Sequence, residues 1–143
     1  MTSDSAAAGA SHASPGPLSA QSLQASLTVA DLPKSVEWYR DVLGFTVARE
    51  FERDGRLFAA SLQADIVRIL LTQDDGAKGP DRTKGVGFSL QITTEQDIDA
   101  IAARAQKAGA RLETEPADVM GARAFRLRDP NGFLWVVSSP RAR

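Results

Sequence analysis

Val29-Ala30-Asp31-Leu32-Pro33-Lys34-Ser35-Val36-Glu37-Trp38-Tyr39-Arg40-Asp41-Val42-Leu43-Gly44-Phe45 holds, in one run, the end of a strand, a capped helix and its stop. Asp31 carries a side chain that accepts amide donors at a helix start, and Pro33 is tolerated in the first turn, where its missing N–H is not needed. Leu32, Val36, Tyr39 and Leu43 recur at helical spacing, widened by Trp38 and Val42, and Gly44 supplies the left-handed residue that ends the helix. Upstream, Leu23, Ala25, Leu27 and Val29 alternate with Gln24, Ser26 and Thr28, which predicts a strand with one buried face. Downstream, residues 45–53, 56–63 and 66–72 read as strands, and Asp54-Gly55 between the first two is a hairpin turn.

The same grammar returns after a polar stretch, 73–84, whose Gly76, Gly79 and Pro80 mark a linker. A strand is predicted over 85–92, then a helix opened by Thr94-Glu95-Gln96-Asp97 in a capping-box pattern, with Ile98, Ile101, Ala105 and Ala108 on one face and Gly109 as its end. Strands over 111–115, 122–128 and 133–138 follow, the last two joined by Asp129-Pro130-Asn131-Gly132. The expected class is α+β. Two tandem βαβββ units, 22–72 and 85–139, lie within one domain, 22–140, behind an Ala-, Ser- and Pro-rich tail, 1–21, expected to be disordered; Gln24 aligns with Gly85 across the repeat.

Composition narrows the partners. With 17 basic against 18 acidic residues and a net charge of −1, the chain has no one-sided basic excess for nucleic acid. The absence of cysteine excludes disulfides, thiolate metal sites and a thiol nucleophile. The longest apolar run, Phe133-Leu134-Trp135-Val136-Val137, is far short of the roughly 20 residues of a membrane helix. The tail lacks the basic start and apolar middle of a secretory signal, so the cytoplasm is the expected location.

The segment from Val29 to Phe45 resembles the opening signature of the vicinal-oxygen-chelate superfamily, the glyoxalase, bleomycin-resistance and extradiol dioxygenase type. Phe125-Arg126-Leu127-Arg128-Asp129-Pro130-Asn131-Gly132 is similar to its closing motif. The resemblance spans 22–139 and implies a curved mixed sheet around a concave groove, and a homodimer that completes the cavity. In metal-dependent members the groove carries His and Glu ligands on the first and last strand of each unit. The corresponding residues are Gln24, Leu70, Gly85 and Val136, and the only histidine, His12, lies in the tail. Divalent transition metals need imidazole, thiolate or carboxylate donors. The resemblance is therefore to metal-free members, and the expected cofactor is none.

Strand side chains alternate, so a groove-facing Gln24 carries Ser26 and Thr28 with it, and the same rule selects Gly87, Ser89 and Gln91. On the last strands it selects Arg68, Leu70 and Thr72, and Leu134, Val136 and Ser138. Arg68 and Arg126 are candidates for holding an anion, the alternative being an ion pair with an acid such as Glu113 or Glu115. Trp38, Tyr39 and Trp135 read as core, and Asp74-Asp75-Gly76 as a solvated linker. The expected function is sequestration of a drug, toxin or metabolite. A metal-independent isomerase, lyase or transferase is the alternative, drawing acids from Glu50, Glu52, Glu113 or Glu115, and a dimeric scaffold with an incidental groove is a third reading.

Overall fold

Residues 15–140 are described by a computed structural model; residues 1–14, which hold His12 and most of the expected tail, lie outside that range. The elements run β1 (Ala25–Val29), α1 (Leu32–Trp38), a π-helical turn (Tyr39–Leu43), β2 (Thr46–Arg53), β3 (Arg56–Ala64) and β4 (Val67–Gln73) in the first unit. The second has β5 (Ser89–Thr93), α2 (Ile98–Lys107), β6 (Leu112–Val119), β7 (Ala122–Arg128) and β8 (Leu134–Pro140). Each unit folds into a four-stranded mixed sheet, ordered β1-β4-β3-β2 and β5-β8-β7-β6. In both, the first strand pairs in parallel with the last. The α+β fold of two βαβββ units expected from the pattern is the fold observed.

The apolar halves of both sheets enter one core. Leu27, Val29, Ile69 and Leu71 from the first sheet and Phe125, Leu127, Trp135 and Val137 from the second belong to a single buried cluster with Leu32, Val36, Ile98, Ala102 and Ala105 of the helices. Burial of such side chains is worth roughly 1.5–3 kcal/mol each, against roughly 0–1 for an exposed ion pair, so this shared core decides how the units sit together.

A polar seam runs through it, and the two motifs singled out in the sequence meet there. The Tyr39 hydroxyl donates to Asp129 Oδ2 at 2.6 Å and accepts from Trp135 Nε1 at 3.0 Å. Asp129 Oδ1 accepts from the amides of Asn131 and Phe133, both at 2.9 Å. Asn131 completes the join: its Oδ1 accepts from Ala30 N at 2.8 Å and its Nδ2 donates to Ser35 Oγ at 3.3 Å. Beside the seam, Arg104 of α2 donates to Leu43 O at 3.1 Å. Gly44 has a φ of 80°, which favours glycine, and a Cβ there would stand 2.6 Å from that guanidinium, which would have to swing aside.

Three local expectations need correction. The strand predicted over 85–92 begins only at Ser89. Gly85 and Gly87 have φ of 77° and 87°, and a Cβ on Gly85 would lie 2.5 Å from Gly132 O, so this stretch is a turn pressed against the β7–β8 connection. The cap of α2 is Asp97, whose carboxylate accepts Asp99 N at 3.0 Å; Thr94 instead closes a small turn of its own by accepting Gln96 N at 3.1 Å. The stretch 73–84 is pinned at both ends. Gln73 accepts Leu32 N and donates to Ala30 O, and Asp74 pairs with Lys84 at 3.0 Å with both side chains under a tenth exposed. The Gly76 amide, then the Lys84 ammonium, holds the Asp74 carboxyl below the usual carboxylate range. Asp74 is thus a structural anchor, not part of a solvated run.

Candidate functional site

Packing of one face of each sheet into the common core leaves the other face open, and strand register states which residues share it. Ser26 stands beside Leu70, Leu70 beside Ser61, and Ser61 beside Arg49. The next row holds Thr28, Thr72, Ala59 and Phe51, and Arg68 lies opposite Gln63 and Thr46 in the row before. On the second sheet Gln91, Val136, Arg126 and Thr114 form one row, and Ser89, Leu134 and Arg128 another. Ser26, Arg68, Gln91 and Arg126 are exposed on these faces, while Thr28, Leu70, Ser89 and Val136 are half-buried. Gln24 and Gly87 sit just ahead of β1 and β5, so both mark the rims of their faces.

The clearest concavity, about 570 Å³, lies over the second face. The turn at residues 85–88, Ser89 and Leu134, and the two arginines Arg126 and Arg128 line it. It gathers five of the residues expected in the groove: Gly85, Gly87, Ser89, Arg126 and Leu134. Gln24, Ser26, Thr28, Arg68 and Leu70 lie on the first face and do not line it, whereas Gln91 and Val136 share Arg126's row. The wall is partly apolar, since exposed Phe88 packs against Phe133 with ring centres 5.9 Å apart.

The ion pairs separate the arginines. Glu113, a candidate partner for Arg126, is taken by Arg128 at 2.8 Å, and Arg128 also donates to Gly132 O at 2.8 Å. Arg126 and Arg68 form no ion pair among the described residues. Arg123, of the opposite parity, is drawn to the helix side by Asp99 and Asp118 at 2.7 and 3.0 Å. The perturbed titratable groups lie elsewhere. Burial, and then the Asp129 charge, pushes the Tyr39 hydroxyl well above its ordinary value, and burial pushes Asp129 up against the hydrogen bonds it accepts. Such shifts often mark active sites, but these groups sit inside the seam and not in the hollow.

Residues 21–137 match the model of the glyoxalase/bleomycin resistance protein/dioxygenase superfamily. The chain belongs to that superfamily. Solved structures agree on the fold at low identity. TioX from Micromonospora sp. ML1 superposes with a TM-score of 0.68 at 21% identity over 85% of this chain and 99% of its own. An integron cassette protein from the mobile metagenome of V. cholerae gives 0.67 at 22%, over 86% and 98%. A glyoxalase I mutant from Zea mays gives 0.70 at 21%, over 84% of this chain and 44% of that one. No curated protein matches by sequence.

Members of the superfamily that use a metal hold it on groove strands, so the donor set can be tested directly. Leu70 and Val136 are aliphatic, Gly85 has no side chain and lies in a turn, and Gln24 stands ahead of β1. Among the described residues no group of three or more His, Cys, Asp or Glu side chains is close enough to hold an ion. These positions do not fit a divalent metal. No helix among the described residues is long and apolar enough to cross a membrane.

Several residues of the open faces escaped the sequence reading: Arg128, Phe88, Arg49, Phe51 and Phe58. Two signals were available. Arg126 and Arg128 share parity on β7, and Arg49, Phe51 and Arg53 alternate along β2.

Proposed function

We propose that this chain is a metal-independent small-molecule binding protein of the bleomycin-resistance type. It sequesters a drug, toxin or metabolite in the cytoplasm, in a groove formed when the open face of one copy is covered by a second copy. The observation that carries the reading is the partly apolar hollow over the second sheet, walled by Phe88 and residue 85–87 backbone and edged by Arg126, a cation with no ion-pair partner among the described residues. Binding sites typically combine such an apolar wall with a few convergent polar groups. Support for a second copy comes from the two sheets, each of which buries one face in the shared core and leaves residues of the other, Ser26 and Arg68 or Gln91 and Arg126, exposed. Glu113, one of the acids on which a catalytic reading would draw, is engaged by Arg128.

Native mass spectrometry of protein purified from its own host tests the proposal. The expected result is a dimer carrying an intact compound that is released unchanged. Conversion of that compound into a product would replace sequestration with catalysis. A concentration-independent monomer that retains nothing would sink both the dimeric groove and the binding role.

A further inference from the structure

The charges of the two open faces are one-sided in a way that the whole chain, at a net charge of −1, is not. Arg49 and Arg68 turn to the first face and Arg126 and Arg128 to the second, and the carboxylate in contact with them is Glu113, already held by Arg128. Three acids of these strands, Glu50, Glu52 and Asp118, point the other way. Glu50 stands opposite buried Ala60 and Glu52 opposite Leu57, while Asp118 pairs with Arg123 on the helix side. Arg49, Arg68, Arg126 and Arg128 thus share the open side, whereas Arg123 of β7 turns to the helices.

On β2 and β3 this sorting makes a defined object. The Arg49 guanidinium lies over the Phe51 ring at 4.8 Å, and that of Arg53 over Phe58 at 4.5 Å. The two rings are 6.2 Å apart and tilted by 51°. A bulge brings them together: Phe51 pairs with Ala59 and Glu52 with Leu57, so Phe58 is the extra residue and shares a side with Phe51. The result is a ladder of cation, ring, ring, cation, and none of its arginines forms an ion pair among the described residues.

We infer that this ladder is a binding site for a planar organic anion, of the aromatic carboxylate class, with its acid group at Arg49 or Arg53 and its ring against the edges of Phe51 and Phe58 that the guanidinium groups leave uncovered. A guanidinium stacked on a ring keeps its in-plane N–H donors free, which is the geometry that meets a carboxylate bidentately. A cationic ligand of the same shape would face like charges at separations within the roughly 8 Å over which salt fails to screen them. The inference rests on the dimeric groove proposed above; the ladder lies on the first open face, apart from the hollow over the second.

Calorimetric titration with three matched probes tests it: 2-naphthoate, 2-naphthamide and 2-naphthylmethylammonium. Naphthoate is expected to bind saturably and about tenfold tighter than the amide, a difference that salt erodes, and the ammonium is expected not to saturate. Arg49→Gln and Arg53→Gln should each weaken naphthoate by about three- to tenfold without lowering the melting temperature. Phe58→Leu should weaken naphthoate and amide alike, because it removes the ring and not the charge. Equal affinity for all three probes would overturn the anion site. So would a lowered melting temperature in the arginine variants with naphthoate affinity unchanged, since the ladder would then be a brace for the hairpin. If naphthoate fails to bind while the host-purified protein still carries a neutral or cationic compound, the anion site falls and the groove reading stands; if neither binds, both fall.

Discussion

The seam around Tyr39 and the open sheet faces treat polar groups in opposite ways. In the seam each one is spoken for: Asp129 takes three donors, Tyr39 gives and accepts, and Asn131 uses both ends of its amide. On the faces, Arg49, Arg68 and Arg126 have no ion pair among the described residues. The difference follows from solvent. A buried polar group without a partner costs roughly 1–3 kcal/mol, so the seam persists only if complete, whereas an exposed guanidinium keeps its water and waits. Substitutions should accordingly separate into those that cost stability and those that cost only binding.

The sharpest break is Asp129→Ala, which strands the Tyr39 hydroxyl and the amides of Asn131 and Phe133 and is expected to destabilise by about 3–5 kcal/mol in denaturant unfolding. A loss below about 1 kcal/mol would mean that the seam is incidental to the union of the two units. Next in size is Arg126→Ala on the opposite side of the comparison. It is expected to weaken capture of an anionic ligand in the hollow by about 1.5–3 kcal/mol while moving stability by less than about 0.5. Calorimetry with parallel melting curves measures both, and a stability loss with unchanged affinity would move Arg126 into the structural class.

Tyr39→Phe keeps the ring contacts to Trp38, Phe45 and Trp135 and removes only the hydroxyl, so a smaller loss of about 1–2 kcal/mol is expected. A double cycle with Asp129→Ala should show strong coupling, because each substitution removes the same shared hydrogen bond. The most delicate test is pH. Burial raises the Asp129 carboxyl, so the folded state holds its proton more tightly than the unfolded chain does. Its contribution to stability is therefore complete below the unfolded carboxylate range, near 4, and is lost as pH rises through the folded value. Between pH 4 and 7 the stability of the native protein relative to Asp129→Asn should fall with rising pH; a rising difference would reverse the assignment.

How much of this was legible beforehand depended on range. Alternation in Leu27 and Val29, the helical stripe through Leu32, Val36 and Tyr39, and the Asp31 cap are local, and each appears where the pattern placed it. The placement of Trp135 and Tyr39 in the core also follows from period alone. The strand start at Ser89 was not readable, because residues 85–88 turn where Gly85 lies close against the backbone of Gly132, a contact far along the chain. The pairing of Glu113 with Arg128, not Arg126, escaped for a related reason: register shifts on either side of Thr114 move β6 against β7, and bulges leave little trace in a pattern of period two. The pinned connector was hidden by its composition, since Asp74 and Lys84 read as surface residues until the fold closes over both.

That pinned connector also governs time. Two units joined by a slack tether can trade places with those of a neighbouring molecule whenever they drift apart, whereas this tether is tied down by Gln73 at α1 and by the enclosed Asp74–Lys84 pair. Exchange of a whole unit between chains would have to open that pair before any new contact could replace it. Mixed populations prepared from separately labelled protein should for that reason scramble slowly, and Lys84→Met, which removes one end of the tie, should hasten the scrambling.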